Sequence, residues 1–234
     1  MATSFGALCT DFYINQKLGL KMDLPGDRET ILNLFDRVRV DIPDMDRFKR
    51  YDDELALESS RRETEYRWLA LRRQSMRTGH VNPETMDRGY MLHRLMLEMA
   101  PFYLAISPLD VEMLELTLGF DLECKANHHQ VVAEALLAGS TMDRLLDVPG
   151  ANPIDVQPVV GMSFGRRSEY HLFAEVKPRT TPGQVRADRY RTEPISVFVT
   201  ARRVGPIDKI DQLPAWLTEL RDLAERFATE KAVP

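Results

Sequence analysis

The chain has 234 residues, 44% of them hydrophobic, and sets 31 Lys and Arg against 36 Asp and Glu for a formal net charge of −5. That length and apolar content suffice for a sizeable core, so disorder is not the default state, and the acidic balance excludes a protein that coats nucleic acid or an anionic membrane with its whole surface. Cys9 and Cys124 are the only cysteines, so no disulfide framework staples the fold; a reducing, cytoplasmic setting is expected, with no export signal and no membrane span.

Residues 4–23 read as a long extended segment, because Phe12, Ile14, Leu18, Leu20 and Met22 recur with mostly two-residue spacing among polar neighbours. Pro25-Gly26 ends it. Asp27 then stands at an N-cap position, and Ile31, Leu32, Leu34, Phe35 and Val38 predict an amphipathic helix to about residue 40. Beyond Pro43, Leu55–Ser60 and Tyr66–Arg72 predict a hairpin around the charged turn Arg61-Arg62-Glu63. Asn82-Pro83-Glu84 reads as the start of a second helix, carried by Met86, Tyr90, Leu92, Leu95, Met96 and Met99 and stopped by Pro101.

A second series follows. Val111–Glu123 predicts another long strand, Asn127 caps a helix to about Leu137, Val156–Phe164 and Tyr170–Val176 form a second hairpin, and Ile195–Ala201 adds a strand. Leu213, Trp216, Leu217, Leu220, Leu223 and Phe227 then give the clearest helical stripe in the chain.

The two series align. Leu18-Gly19-Leu20 falls on Leu118-Gly119-Phe120 and Asp27 on Asn127, both 100 residues on; Met45-Asp46-Arg47 falls on Met142-Asp143-Arg144 at 97, and Glu65–Ala70 on Glu169–Ala174 at 104. Collinear matches at nearly one offset predict an α+β fold in which a strand-helix-hairpin-helix module is duplicated in tandem. The first module spans 1–103 and the second 104–234, the latter with an inserted basic loop at 178–194, and together they form one pseudo-twofold unit of antiparallel sheet with helices packed on one side. In architecture alone this order resembles the TATA-binding-protein (TBP-like) saddle and tandem ferredoxin-like folds, a likeness that carries no function.

No linear motif announces chemistry. Asp121, Glu123, Cys124, His128 and His129 are the densest potential metal ligands, but a strand turns Cys124 away from Asp121 and Glu123, and adjacent histidines diverge on a helix. No metal and no cofactor is therefore expected. Neither cysteine has a nucleophile's context, no Gly-rich phosphate loop follows a strand, and the acids Asp52, Asp53 and Glu54 read as solvated.

From Arg166 to Arg203 the chain carries nine Lys or Arg against four acids. The candidate partner- or polyanion-binding residues are Arg166, Arg167, Arg179, Arg186, Arg189, Arg191, Arg202 and Arg203, with Pro178–Pro194 as a long mobile loop, and Arg61, Arg62, Arg67, Arg72, Arg73 and Arg77 as a possible extension. An ordinary charge-balanced surface ranks ahead of that patch. The reading favours a non-enzymatic binding or scaffold protein that meets a protein partner or a second copy of itself. Nucleic-acid binding through 166–203 is the first alternative, and a small-molecule enzyme with Glu123, His128 and His171 between the halves is the second.

Overall fold

The alternation at the start of the chain becomes β1 (Asp11–Leu20), in which Phe12, Ile14, Gln16, Leu18 and Leu20 are buried while Tyr13, Asn15 and Lys17 are half-exposed. In this computed structural model, which describes residues 5–60 and 65–232, β1 lies near the middle of a nine-stranded antiparallel sheet. The other strands are β2 (Arg47–Arg50), β3 (Glu54–Glu58), β4 (Tyr66–Arg72), β5 (Ser75–Val81), β6 (Val111–Cys124), β7 (Val159–Phe164), β8 (Tyr170–Lys177) and β9 (Glu193–Val204). Their order across the sheet is β2-β3-β4-β5-β1-β6-β9-β8-β7.

Helices cover one face. Asp27 caps α1 (Arg28–Asp41) by accepting from the Thr30 N–H, and the stripe Ile31, Leu34, Phe35 and Val38 is buried, with the Phe35 ring 6.0 Å from that of Phe48 in β2. Next to it lies α2 (Met86–Tyr103), over β5 and β1, and then α5 (Leu213–Phe227), over β6 and β9. One continuous apolar cluster runs beneath all three and draws on both ends of the chain, from Phe12 and Leu18 to Leu114, Phe120, Val199 and Leu220. Burial of this kind is the main favourable term in folding.

Several expectations are corrected. The first predicted hairpin, β3–β4, is the middle of a four-stranded meander, because β2 pairs with β3, and β5 turns straight back from β4 and then pairs with β1. Ser-Met-Arg-Thr-Gly-His-Val hides from pattern reading because buried Thr78, Gly79 and His80 are not apolar. The short, basic β2 was likewise outside the predicted elements. Helix α2 starts from Thr85, whose side chain accepts from the Arg88 N–H, whereas Asn82 adopts φ 48° and its side chain accepts from the Phe12 N–H. Pro101 is inside the last turn and does not stop that helix. The segment 178–194 is no open loop: α4 (Pro182–Ala187) sits in it under a Thr181–Gln184 capping box. The turn Arg61-Arg62-Glu63 lies outside the described residues.

The uneven cover along the helix-bearing side, deep at β6 and bare at β7, predicts a contrast. Leu114→Ala, a fully buried position, should cost about 2–5 kcal/mol, whereas Val160→Ala on the outermost strand should stay within about 0.5 kcal/mol. Urea unfolding of both variants checks this, and equal losses would contradict the placement of the core.

Candidate functional site

Residues paired across antiparallel strands share a face, so the ladders fix what the uncovered side presents. One row runs Trp68, Gly79, Asn15, Thr117, Thr200, Phe173 from β4 to β8. On one side of it lies Tyr66, Val81, Tyr13, Gly119, Phe198, and on the other Ala70, Arg77, Lys17, Glu115, Arg202, His171. The open face therefore juxtaposes an aromatic band and a charged band. Trp68 and Phe173 share it, although the offset of 104 sets Trp68 against Leu172 and not Phe173.

Two glycines make the aromatic floor flat. A Cβ on Gly79 would sit 2.2 Å from the Trp68 ring, and one on Gly119 would sit 2.1 Å from the Tyr13 ring. Each ring thus lies across the bare backbone of the next strand and shields it from water. The Tyr13 hydroxyl reaches the Asp121 carboxylate at 3.4 Å, which also accepts from Ser196 at 2.5 Å. Burial, followed by the Asp121 charge, pushes the Tyr13 phenol upward.

In the charged band, both Arg202 Nε and Nη2 donate to Glu115, at 2.7 and 2.5 Å, and Arg72 Nε donates to Glu54 at 2.7 Å. The Arg77 guanidinium sits 5.6 Å above the Trp68 ring and Arg202 5.2 Å above Phe173. Among the described residues no carboxylate pairs with Lys17 or Arg77. They border a depression of about 360 Å³ lined also by the Asn15 amide, the Ser75 and Thr117 hydroxyls, Arg72, and Glu115, which stands opposite Lys17 in the β1–β6 ladder and is bound by Arg202. This donor set, beside an aromatic wall, can hold an anionic group.

Comparison with protein-family models, with curated proteins and with solved structures finds no match. The reading therefore rests on this geometry.

The predicted arginines do not converge. Arg202 is on the open face, but Arg203 is on the covered face, 4.2 Å from the Trp216 ring and bound to Glu219. Arg179 reaches the rim of the open face and donates to Ser196 at 2.8 Å. Arg166 and Arg167 occupy the turn before β8, while Arg186, Arg189 and Arg191 follow its far end, roughly 25 Å away along the strand. From the first half, Arg72 and Arg77 join the open face and Arg67 is held on the covered side by Asp44 and Glu65. Lys17 lay outside the predicted patch and Arg77 was named only in its extension; the register alone sets them side by side. Gly19 and Gly119 inside strand-like segments were the readable hint, since strand glycines mark close approaches.

The remaining candidates have structural employment. The His128 and His129 rings both accept a backbone N–H at Nδ1, from Arg179 at 3.1 Å and from Val156 at 3.0 Å. Their Nε2 atoms meet the carbonyls of Cys124 and Thr180 at 3.3 and 3.0 Å. They tie two loops to the start of α3 (His128–Leu136). Glu123 lies at the other end of β6 from the Glu115–Arg202–His171 row, eight residues or roughly 26 Å along, so Glu123, His128 and His171 do not form one site. Asp53 and Glu54 both approach Arg72. No group of His, Cys, Asp and Glu suited to a metal occurs among the described residues.

Beneath the sheet, between β5 and α2, a polar nest interrupts the core. Thr78 Oγ1 lies 2.6 Å from His93 Nδ1, Gln16 donates to the His93 carbonyl at 3.4 Å, and His80 Nε2 meets Glu65 at 2.9 Å. Burial pulls the His93 imidazole down to about 3, with His80 adding to the shift, and burial also lowers His80 against the upward pull of Glu65. Desolvation lowers His128 as well.

Two outcomes follow. Folded values below that of the free imidazole mean that the unfolded chain takes up protons first, so stability is complete above about pH 6.5 and falls as pH drops toward 3. Urea unfolding at about pH 7.5 and pH 5 should differ by about 2 kcal/mol from His93 alone, and His93→Gln should flatten the dependence; a flat wild-type profile would contradict this. Separately, Gly79→Ala should lift the Trp68 ring and cost about 1–3 kcal/mol, with a shifted emission in a Trp216→Phe background. Gly26→Ala, which meets nothing within 4 Å, is the neutral control.

Proposed function

We propose that the protein is a non-catalytic binding protein whose open sheet face docks an acidic segment of a protein partner. The observation that carries this reading is the pair Lys17 and Arg77, without carboxylate partners among the described residues and set against the Trp68 wall. Extended chain suits such a surface, because Asn15, Thr117 and Thr200 form a polar row beside the cations across β1, β6 and β9. Nucleic acid ranks second: polyanion binding draws on many phosphate contacts, and here only Lys17, with Glu115 opposite it, and Arg77 are outside ion pairs among the described residues, while Arg72 and Arg202 are engaged by acids. The scattered positions of Glu123, His128 and His171 weigh against an enzyme between the halves. The free thiols Cys9 and Cys124 suit a reducing, cytoplasmic location.

The scaffold reads as a tandem duplication with modules 1–103 and 104–234. Strand, helix, meander and helix occur in that order in both, the meander having four strands (β2–β5) in the first half and three (β7–β9) in the second, and β1 lies against β6 with Leu18 opposite Leu114 and Gln16 opposite Leu116. An offset of 100 makes Gln16 and Leu116 counterparts, and a twofold axis passing between them fits this ladder. The ladders then relate β4 to β8 by 103 residues and not 104, since Trp68 is on the open face and Leu172 is buried on the covered one. The TBP-like comparison would accordingly extend to an open sheet face and no further.

Trp68 emission in the Trp216→Phe background provides the test. Titration with a hexaglutamate peptide should give a saturable change, weakened about tenfold or more by Lys17→Glu with Arg77→Glu, while hexalysine gives none. No response to the acidic peptide, or a response to oligothymidylate alone with a steep salt dependence, would displace this reading.

A further inference from the structure

On the covered face, the row that passes beneath the start of α1 opens toward the edge of the sheet. The ladders line up Leu18, Met76, Leu71, Leu55 and Arg50, one residue per strand from β1 to β2. Leu18 and Met76 are fully buried, Leu71 is 6% exposed, Leu55 is half-buried and Arg50 is exposed. Between the outer end of this row and the first turns of α1 lies a cleft of about 500 Å³, inside the range of about 300–1,000 Å³ usual for small-molecule sites. Its inner walls are the apolar side chains of Leu24, Ile31, Leu32, Leu55 and Leu71, with Phe48 half-open to solvent at the edge. The Leu24 N–H donates to the Arg73 carbonyl at 2.8 Å and Arg73 Nε donates to Asp23 at 2.6 Å, so the chain entering α1 is pinned to the β4–β5 turn and the cleft is preformed. At the start of α3 the like position is closed: His128 and His129, one hundred residues after Arg28 and Glu29, are buried and hold two loops against that helix, whereas Arg28 and Glu29 are exposed.

Charge gathers at the mouth of this wedge. Arg72 is held by Glu54 at 2.7 Å and Asp53 at 3.7 Å, and Arg73 by Asp23. The other charged lining residues are Arg28, Arg50 and Asp52, none of which makes an ion pair among the described residues. Asp52 stands in the turn that the Tyr51 N–H closes on the Glu54 carbonyl, whereas Arg50 belongs to the covered-face row itself and Arg28 to the helix above it. Two guanidiniums against one carboxylate leave the mouth with an excess of positive charge, and a guanidinium matches a carboxylate in shape and charge. We infer that the cleft binds an amphipathic carboxylate of the fatty-acid class, its alkyl chain between α1 and the Leu55 and Leu71 side chains and its head group held by Arg28 and Arg50. From Arg50 to Leu71 is two strand spacings, roughly 10 Å, a reach that suits an alkyl chain of about ten carbons. The chain then leaves water against apolar walls while the charge stays at the solvent-facing end. Arg72 borders both this cleft and the open-face depression, but its guanidinium is engaged by acids, and the cleft does not depend on the ligand proposed for the open face.

Isothermal titration calorimetry of the full chain with sodium decanoate, kept below its micelle-forming concentration, tests the inference. Decanoate should bind saturably at one site in the micromolar range, octanoate about tenfold more weakly, and decylammonium not at all. Arg28→Glu with Arg50→Glu should weaken decanoate about tenfold or more with unchanged circular dichroism and Tm, since both positions are exposed. Excess hexaglutamate, the probe of the open face, should leave decanoate binding as it is. No saturable heat up to about 1 mM decanoate, indifference to chain length, equal binding of decylammonium, a folded double variant that binds like the wild type, or displacement by hexaglutamate would each overturn the inference.

Discussion

A nine-stranded sheet has two broad faces, and this chain supplies long helices for only one of them. The rest of the structure answers that constraint. On the covered side, α1, α2 and α5 lie side by side over a single apolar cluster anchored on β1 and β6, where Phe12 and Phe120 stack within a trio of rings completed by Phe5 at centroid distances of 5.4 Å. On the open side no element is available among the described residues, so the sheet covers itself: Trp68 and Tyr13 lie flat on glycine backbone, and arginines lie over Trp68 and Phe173. Self-covering of this kind keeps the face half-exposed and polar enough for water, and it leaves aromatic surface beside Lys17 and Arg77, which make no ion pair among the described residues.

The polar nest beneath the sheet shows the same economy at lower dielectric. Gln16, Thr78 and His80 occupy positions that the pleat aims at α2, which contributes His93, and apolar residues would pack equally well there. Gln16 Oε1, His93 Nε2 and His80 Nδ1 have no protein partner, so the cluster costs stability in exchange for fixing how β1, β5 and α2 meet. The coupling between this nest and the open face is direct, since Gln16 and Lys17, like Arg77 and Thr78, are consecutive residues on opposite sides of the same strands.

Most elements were legible in the sequence where one physical signal dominated. The α5 stripe and the caps Asp27 and Asn127 stand where periodicity and capping put them, because those helices bury one face and expose the other. β5 was illegible because its buried residues are Met76, Thr78 and His80, and α2 outran its expected end because Pro101 sits in the last turn, where Leu104 still bonds back to Ala100. The candidate site was largely illegible. A run of arginines in sequence suggested one patch, yet consecutive strand residues point to opposite faces, so Arg202 and Arg203 part company at once. Lys17 and Arg77 are sixty residues apart and become neighbours only through strand register, which depends on the whole sheet closing correctly.

Hydroxyl-radical footprinting of the free protein measures the central claim, the unequal cover of the two faces, most directly. Oxidation should be ready at Tyr13, Trp68, Phe173 and Phe198 on the open side and slow at Phe12, Phe120 and Trp216 beneath the helices. If the first set proves as protected as the second, some other part of the molecule covers the open face, and the binding surface described above does not exist.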